Sequence, residues 1–198
     1  MNNIIGIVAE KLGHSLSPYI HNYWSKKYKQ KLQYQKFEVS EKHLDKFFQS
    51  FKKNKKIKGF NVTIPYKTNF ITLCDRITPK AKKIGSVNLV YKKNNLIIGD
   101  NTDVIGFEKS FKKLKNIPSN KVLLIGAGGA ARSILYFLNQ KNIENIDVFA
   151  TSFRRKEDIC KDFVIKRFAT KTSLLKTKYD IIINSSSGGM VGLSLIHI

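Results

Sequence analysis

Apolar positions along the first sixty residues alternate between two periods. Short runs rich in Ile, Val, Phe and Tyr at residues 3–9, 33–39 and 57–62 predict strands, and segments 18–29 and 41–53, with apolar residues every three or four positions, predict helices. The order is βαβαβ. A crossover of about a dozen residues returns the chain to the same end of a sheet, so these strands are expected to run parallel. Beyond Thr63 the pattern loosens: Thr78-Pro79 predicts a helix start, and a hairpin is predicted between 86–91 and 96–98, turned through Asn94-Asn95. A second α/β unit follows. The run Lys121-Val122-Leu123-Leu124-Ile125 has the character of a fully buried strand, 130–140 of a helix, 146–150 of the next strand and 180–184 of a later one. With no repeat and no low-complexity linker, the boundary is expected near residues 99–102, where a strand runs into a helix that includes 105–114. The expectation is an α/β protein of two domains, 1–101 and 102–198.

Composition excludes a disordered peptide, since 198 residues with 42% hydrophobic content suffice for one ordinary core or two small ones. Charge widens the choice of partner. Against 14 Asp+Glu stand 36 Lys+Arg, a net charge of +22, which brings a polyanion into consideration. The excess is mostly Lys beside Asn and Ile, as in Lys52-Lys53-Asn54-Lys55-Lys56, and reads as a solvated surface of biased composition, with no nucleic-acid partner expected. No stretch approaches the ~20 apolar residues of a membrane helix, and the short apolar run at the N-terminus has no basic residues before it, so a cytoplasmic protein with no membrane partner is expected. Cys74 and Cys160 have no His or Cys at metal-ligand spacing; both are expected reduced and partly buried, and no metal is expected.

The sharpest chemical signal is Gly126-Ala127-Gly128-Gly129-Ala130-Ala131, which directly follows the buried strand and opens a helix. This is the G-x-G-x-x-A form of the dinucleotide fingerprint, and it predicts that the second domain is a Rossmann-like NADP-binding domain. Gly126 permits the tight turn, Gly128 leaves room for pyrophosphate against the backbone, and Ala131 lets helix and strand pack closely. Amides at the helix N-terminus would face the phosphates. At the end of the next strand an acidic residue would favour NAD. The sequence instead has Ala150-Thr151-Ser152-Phe153-Arg154-Arg155-Lys156, hydroxyls and cations suited to a 2′-phosphate, so NADP is favoured; the alternative is that Arg154 and Arg155 face solvent at a helix start.

Three polar clusters each follow a predicted strand, where α/β sheets bind ligands: Gly13-His14-Ser15-Leu16-Ser17-Pro18, Asn61-Val62-Thr63-Ile64-Pro65-Tyr66-Lys67 and Gly99-Asp100-Asn101-Thr102-Asp103. Their hydroxyls, amides, ammonium and carboxylate suit a small, polyhydroxylated, anionic substrate. Each also has a local explanation. Ser17 could cap a helix, Asn61 and Thr63 could satisfy nearby backbone, and Asp103 could cap the helix that follows.

In these motifs the chain resembles the shikimate dehydrogenase family, which reduces 3-dehydroshikimate to shikimate with NADPH. His14-Ser15-Leu16-Ser17-Pro18 with His21-Asn22 is similar to its H-S-x-S-P…H-N opening, and residues 61–67 to its N-V-T-x-P-[FY]-K segment. Gly85-Ser86-Val87-Asn88 resembles G-A-V-N with Ser for Ala, and residues 99–103 match G-D-N-T-D. Residues 126–131 and 183–190, the latter ending at Met190, resemble its two later motifs. The resemblance implies that Ser15, Ser17 and Thr63 hold the substrate carboxylate and nearby hydroxyls, that Asn88 and Asp103 hold ring hydroxyls, and that Met190 joins the cofactor-binding residues. Lys67 would be catalytic, with Asp103 orienting it: an ammonium beside the ketone stabilises charge developing on oxygen and supplies the proton.

Two features depart from the family. Ala150-Thr151-Ser152 stands where many members have N-R-T, leaving Arg154 or Arg155 to replace the usual Arg, and Val191 to Ile198 matches nothing that the family has next. A C-terminally truncated member, incomplete in its second domain and with little or no activity of its own, is therefore expected. A monomer or homodimer acting on a small molecule is the leading reading; a quinate-using relative and an inactive basic scaffold binding an anionic partner stay open.

Overall fold

The computed structural model describes residues 3–13, 15–114, 121–186 and 188. Its Cα packing divides the chain into Met1–Thr102 and Asp103–Ile198. The first unit contains β1 (Asn3–Ala9), α1 (Ser17–Lys27), β2 (Leu32–Glu38), a 3₁₀ turn (Glu41–His43), α2 (Leu44–Lys53), β3 (Ile57–Val62), α3 (Phe70–Leu73), β4 (Arg76–Ile77), α4 (Pro79–Ile84), β5 (Leu89–Lys93) and β6 (Leu96–Asp100). These form a six-stranded sheet in the order β2-β1-β3-β5-β6-β4. β2, β1 and β3 are parallel, as the crossover lengths require, whereas β5 runs antiparallel to both β3 and β6. Asn94 and Asn95 both take positive φ, 51° and 61°, in the two-residue hairpin turn that their short polar side chains tolerate.

One face of this sheet carries most of the core. On α2, Leu44, Phe47, Phe48 and Phe51 follow helical spacing and pack with Val8, Phe60, Phe70 and Val90. The Phe51 and Phe60 rings meet edge-on at 4.8 Å, and Phe60 and Phe70 at 5.5 Å, the geometry aromatic quadrupoles favour. On the opposite face a smaller cluster of Ile7, Ala9, Leu12 and Tyr34 lies under α1. No residue of α1 is fully buried; polar ties hold the helix, with the Ser25 hydroxyl 2.8 Å from the Leu32 carbonyl and Asn22 bonded to the backbone of Tyr34.

The second unit contains α5 (Asp103–Phe111), β7 (Val122–Ile125), α6 (Gly129–Gln140), β8 (Ile146–Phe149), α7 (Phe153–Asp162), β9 (Arg167–Phe168), α8 (Lys171–Leu175) and β10 (Ile181–Asn184). Its sheet is parallel, in the order β10-β7-β8-β9. α6 buries Ala131, Ile134, Leu135 and Leu138, and Phe137 meets Phe107 and Phe111 of α5 at 5.4 and 5.3 Å. Inside β8, fully buried Asp147 accepts from the Arg167 guanidinium at 3.0 Å and from the Tyr179 hydroxyl at 2.8 Å. Burial pushes this carboxyl up, but the two hydrogen bonds and the Arg167 charge outweigh it and hold Asp147 below the usual aspartate range.

Several sequence expectations change. The helix expected to include 105–114 starts at Asp103 and ends at Phe111, and residues 41–53 divide into a 3₁₀ turn and α2. Cys74 is half-buried and Cys160 is exposed on α7; both are free thiols. Burial and the Asp75 charge push the Cys74 thiol up to about 12, with Lys52 acting in the opposite direction. Among the described residues, no helix is long and apolar enough to cross a membrane.

Candidate active site

In the first unit, antiparallel insertion of β5 brings distant segments to one end of the sheet. β1 and β3 finish side by side, with the Thr63 N–H donating to the Val8 carbonyl at 3.1 Å. Next to them β5 begins: the Val62 N–H donates to the Asn88 carbonyl at 2.9 Å, and the Asn88 N–H to the Asp100 carbonyl at 3.0 Å. The loops after β1, β3 and β6 therefore meet the loop before β5. Ser15, Ser17, Thr63, Lys67 and Asn88 all belong to these loops or their borders, and Thr102 ends the last of them.

Local packing decides which groups face outward. Tyr66 is 1% exposed and its hydroxyl donates to the Val39 carbonyl at 2.6 Å, which anchors the turn after β3 in the core. Its neighbour Lys67 stays half-buried at the surface of the turn, and the Lys67 carbonyl accepts from the Val87 N–H at 2.8 Å, tying this turn to the one before Asn88. The Asn88 side-chain oxygen accepts from the Thr102 N–H at 2.8 Å and its hydroxyl at 3.2 Å. Ser15, Ser17 and Thr63 are half-buried, and the Ser17 N–H approaches the Ser15 hydroxyl at 3.4 Å.

The simple capping explanation for Ser17 fails, because α1 begins at Ser17 itself and is preceded by Leu16 with no side-chain cap. Asn61 does satisfy backbone, donating to the Asn88 carbonyl at 3.4 Å. Asp103 is the first residue of α5 and opens the second unit, while Lys67 belongs to the first. Asp100 is occupied within the fold, since one carboxylate oxygen accepts from the Thr78 hydroxyl at 2.6 Å and the Asn101 N–H at 2.7 Å, with the Lys80 ammonium at 3.5 Å. Residue 14 lies outside the described residues.

In the second unit, the chain leaves β7 toward β8 and β9 and later returns to pair β10 on its other side. β7 is thus the point where strand order reverses, which is where open α/β sheets form a ligand crevice. Gly126 has φ +108°, a conformation that side chains disfavour, and an added Cβ would lie 2.8 Å from the Ser185 hydroxyl. Gly128, which precedes the first turn of α6, would meet nothing within 4 Å. Gly129 starts the helix, followed by Ala130; Ala127 and Ala131 are buried, Ala131 fully, so Ala131 serves helix–sheet packing. A tight turn, open space at Gly128 and helix N–H groups fit the demands of a pyrophosphate.

Ser152 caps α7 by accepting from the Arg155 N–H at 3.5 Å, and Thr151, Arg154 and Arg155 are exposed. After β10 the Ser185 N–H and hydroxyl both reach the Ile125 carbonyl, at 2.8 and 2.7 Å, placing residues 183–186 against the glycine turn. Met190 lies outside the described residues.

Sequence reasoning missed the supports of the first site. Asn22 and His21, noted only within a motif, fix Tyr34: Asn22 bonds both its N–H (2.8 Å) and its carbonyl (3.0 Å), and His21 stacks on its ring at 4.3 Å. Burial lowers the His21 pKa. Strand alternation makes Tyr34 an ordinary inward residue and carries no sign of its hydroxyl's partner.

These two units define a dehydrogenase scaffold, a dinucleotide-type α/β unit preceded by one that gathers hydroxyls, amides and an ammonium at a sheet end. Residues 7–90 match the shikimate dehydrogenase substrate binding domain, and residues 108–191 match shikimate / quinate 5-dehydrogenase. A shikimate dehydrogenase (NADP(+)) from Clostridium beijerinckii is 39% identical, over 93% of this chain and 68% of that protein. The crystal structure of shikimate dehydrogenase 1 from Peptoclostridium difficile is similar with a TM-score of 0.85 at 32% identity, over 98% of this chain and 72% of that one. Shikimate 5-dehydrogenase from Listeria monocytogenes, solved with shikimate and NAD, gives a TM-score of 0.79 at 28% identity, over 96% and 70% of the two chains. The chain belongs to the shikimate dehydrogenase family and spans about 70% of the length of such relatives.

Proposed function

We propose that this chain carries the machinery for NADP-dependent reduction of 3-dehydroshikimate to shikimate, the first unit holding the substrate and the second the nucleotide. The observation that carries the reading is the convergence of Ser15, Ser17, Thr63, Lys67 and Asn88 at one end of the first sheet. Ser15, Ser17 and Thr63 are hydrogen-bond donors suited to a carboxylate and its neighbouring hydroxyls. Asn88 and Asp103 take ring hydroxyls. Lys67 stabilises the negative charge that develops on the ketone oxygen and delivers a proton there, and Asp103 is the second catalytic residue.

NADPH, when bound, supplies the hydride. Gly126, Ala127, Gly128, Gly129 and Ala130 provide its backbone cradle, Ala131 the close packing behind it, and Thr151, Ser152, Arg154, Arg155 and Met190 the remaining contacts. Arg154 and Arg155 take the part of the arginine that the N-R-T form would place earlier. The setting is cytoplasmic aromatic amino acid biosynthesis, upstream of chorismate. NADPH oxidation dependent on 3-dehydroshikimate is the direct test; no turnover and no binding of shikimate would refute the reading.

A further inference from the structure

Beneath the first sheet end a chain of hydrogen bonds links residues far apart in sequence. The Tyr34 hydroxyl donates to the Asn61 side-chain oxygen at 2.8 Å, and the Asn61 amide nitrogen donates to the Asn88 carbonyl at 3.4 Å. That carbonyl also accepts from the Val62 N–H, and the Asn88 side chain holds Thr102. The polarity is forced. A carbonyl only accepts, so Asn61 must turn its NH₂ toward Asn88 and its oxygen toward Tyr34, and Tyr34 must donate. A phenylalanine would fill the same space and leave the Asn61 side-chain oxygen without this donor, so that only the 3.4 Å bond to the Asn88 carbonyl would hold the amide.

We propose that Tyr34 is a positioning residue for the reaction, its buried hydroxyl fixing Asn61 and through it the Asn88–Thr102 corner that meets the substrate. Tyr34 is itself immobilised, 4% exposed, clamped at both backbone groups by Asn22 and stacked on His21 with an interplanar angle of 6°. Burial pushes its phenol up to about 12, against a smaller opposing effect of Ser17, so the hydroxyl stays a protonated donor at neutral pH. A buried side-chain relay of this kind has one low-energy arrangement when every member is satisfied. The inference rests on the functional reading above.

The test is Tyr34→Phe, which keeps the ring and its stack. Loss of one such hydrogen bond corresponds to roughly a 3- to 30-fold change in affinity. The KM for 3-dehydroshikimate and the calorimetric Kd for shikimate should rise by that factor, with kcat and the KM for NADPH within about two-fold of the parent. Asn61→Leu should raise the same KM, and the double variant should be no worse than Asn61→Leu alone, since both remove one relay. An unchanged KM in Tyr34→Phe, additive effects in the pair, or a lowered melting temperature with no change in KM would overturn the inference. A parent chain that neither binds shikimate nor turns over would overturn the functional reading, and the inference with it; an active parent matched by Tyr34→Phe overturns the inference alone.

Discussion

The two candidate sites of this chain are built by opposite means. In the first unit the groups offered to a ligand are side chains, held by other side chains and by strand-end hydrogen bonds: Tyr66 anchors the Lys67 turn, and Asn88 grips Thr102. In the second unit the groups offered are largely backbone, with open space where a side chain is absent, as at half-buried Gly128, while the cationic side chains of Arg154 and Arg155 stand in solvent. A substrate whose stereochemistry must be read needs donors and acceptors at fixed points, because a misplaced hydrogen bond leaves a desolvated polar group unsatisfied. A pyrophosphate needs chiefly room and a set of aligned N–H groups.

Substitutions can sharpen or break this contrast. The largest effect is expected at Lys67. Lys67→Ala should lower kcat by on the order of 10²-fold or more with NADPH affinity unchanged, because the ammonium acts on charge that appears in the transition state. Asp103→Asn should also slow turnover, by less than Lys67→Ala. Steady-state kinetics with direct NADPH binding would separate these outcomes, and turnover by Lys67→Ala within a few-fold of the parent would remove the side-chain half of the comparison.

For the backbone half, the two glycines should part company. Gly126→Ala combines a φ of +108° with a contact of 2.8 Å to Ser185 and should destabilise the second unit by about 1–3 kcal/mol, read as a lower melting temperature. Gly128→Val enters open space and should leave the melting temperature within a few degrees while weakening NADPH. Equal losses of stability would show that Gly128 serves the fold.

The cations make a smaller contribution. Replacing Arg154 and Arg155 together with Ala should weaken NADPH relative to NADH by about 1.5–3 kcal/mol, the scale of hydrogen bonds to charged groups. Equal effects on both cofactors would assign the pair to the solvated surface.

The smallest effect concerns acid stability. The Asp147 carboxyl is held below its ordinary value of 3.8, so its contribution is present above about pH 4 and disappears as pH falls through the lower folded-state value. Asp147→Asn should therefore lower the melting temperature at neutral pH, by an amount that shrinks on acidification below that point. A difference independent of pH would mean that hydrogen-bond geometry, not charge, accounts for the role of Asp147.

Much of this was legible in the residues themselves. The strands 3–9 and 57–62 coincide with β1 and β3 because alternating or continuous apolar runs fix both type and length, and Thr78-Pro79 starts α4 with the Thr78 hydroxyl accepting from the Ala81 N–H. The glycine turn was legible because few other residues tolerate its backbone. Local chemistry decided these features, so a local reading finds them.

Other features depended on residues meeting across the fold. The alternation of β2 makes Tyr34 a core residue, yet only the register that lays β1 between β2 and β3 lets its hydroxyl reach Asn61, 27 positions away. Asp100 and Asp103 sit in one motif, but the first is occupied by Thr78 and Asn101 while the second opens the next unit. Sequence determined the elements and the kinds of chemical group, because hydrophobic period and backbone permissiveness act over a few neighbours. Tertiary structure alone decided which polar groups were consumed by partners and which faced outward, because a hydrogen bond depends on where two distant strand ends come to lie.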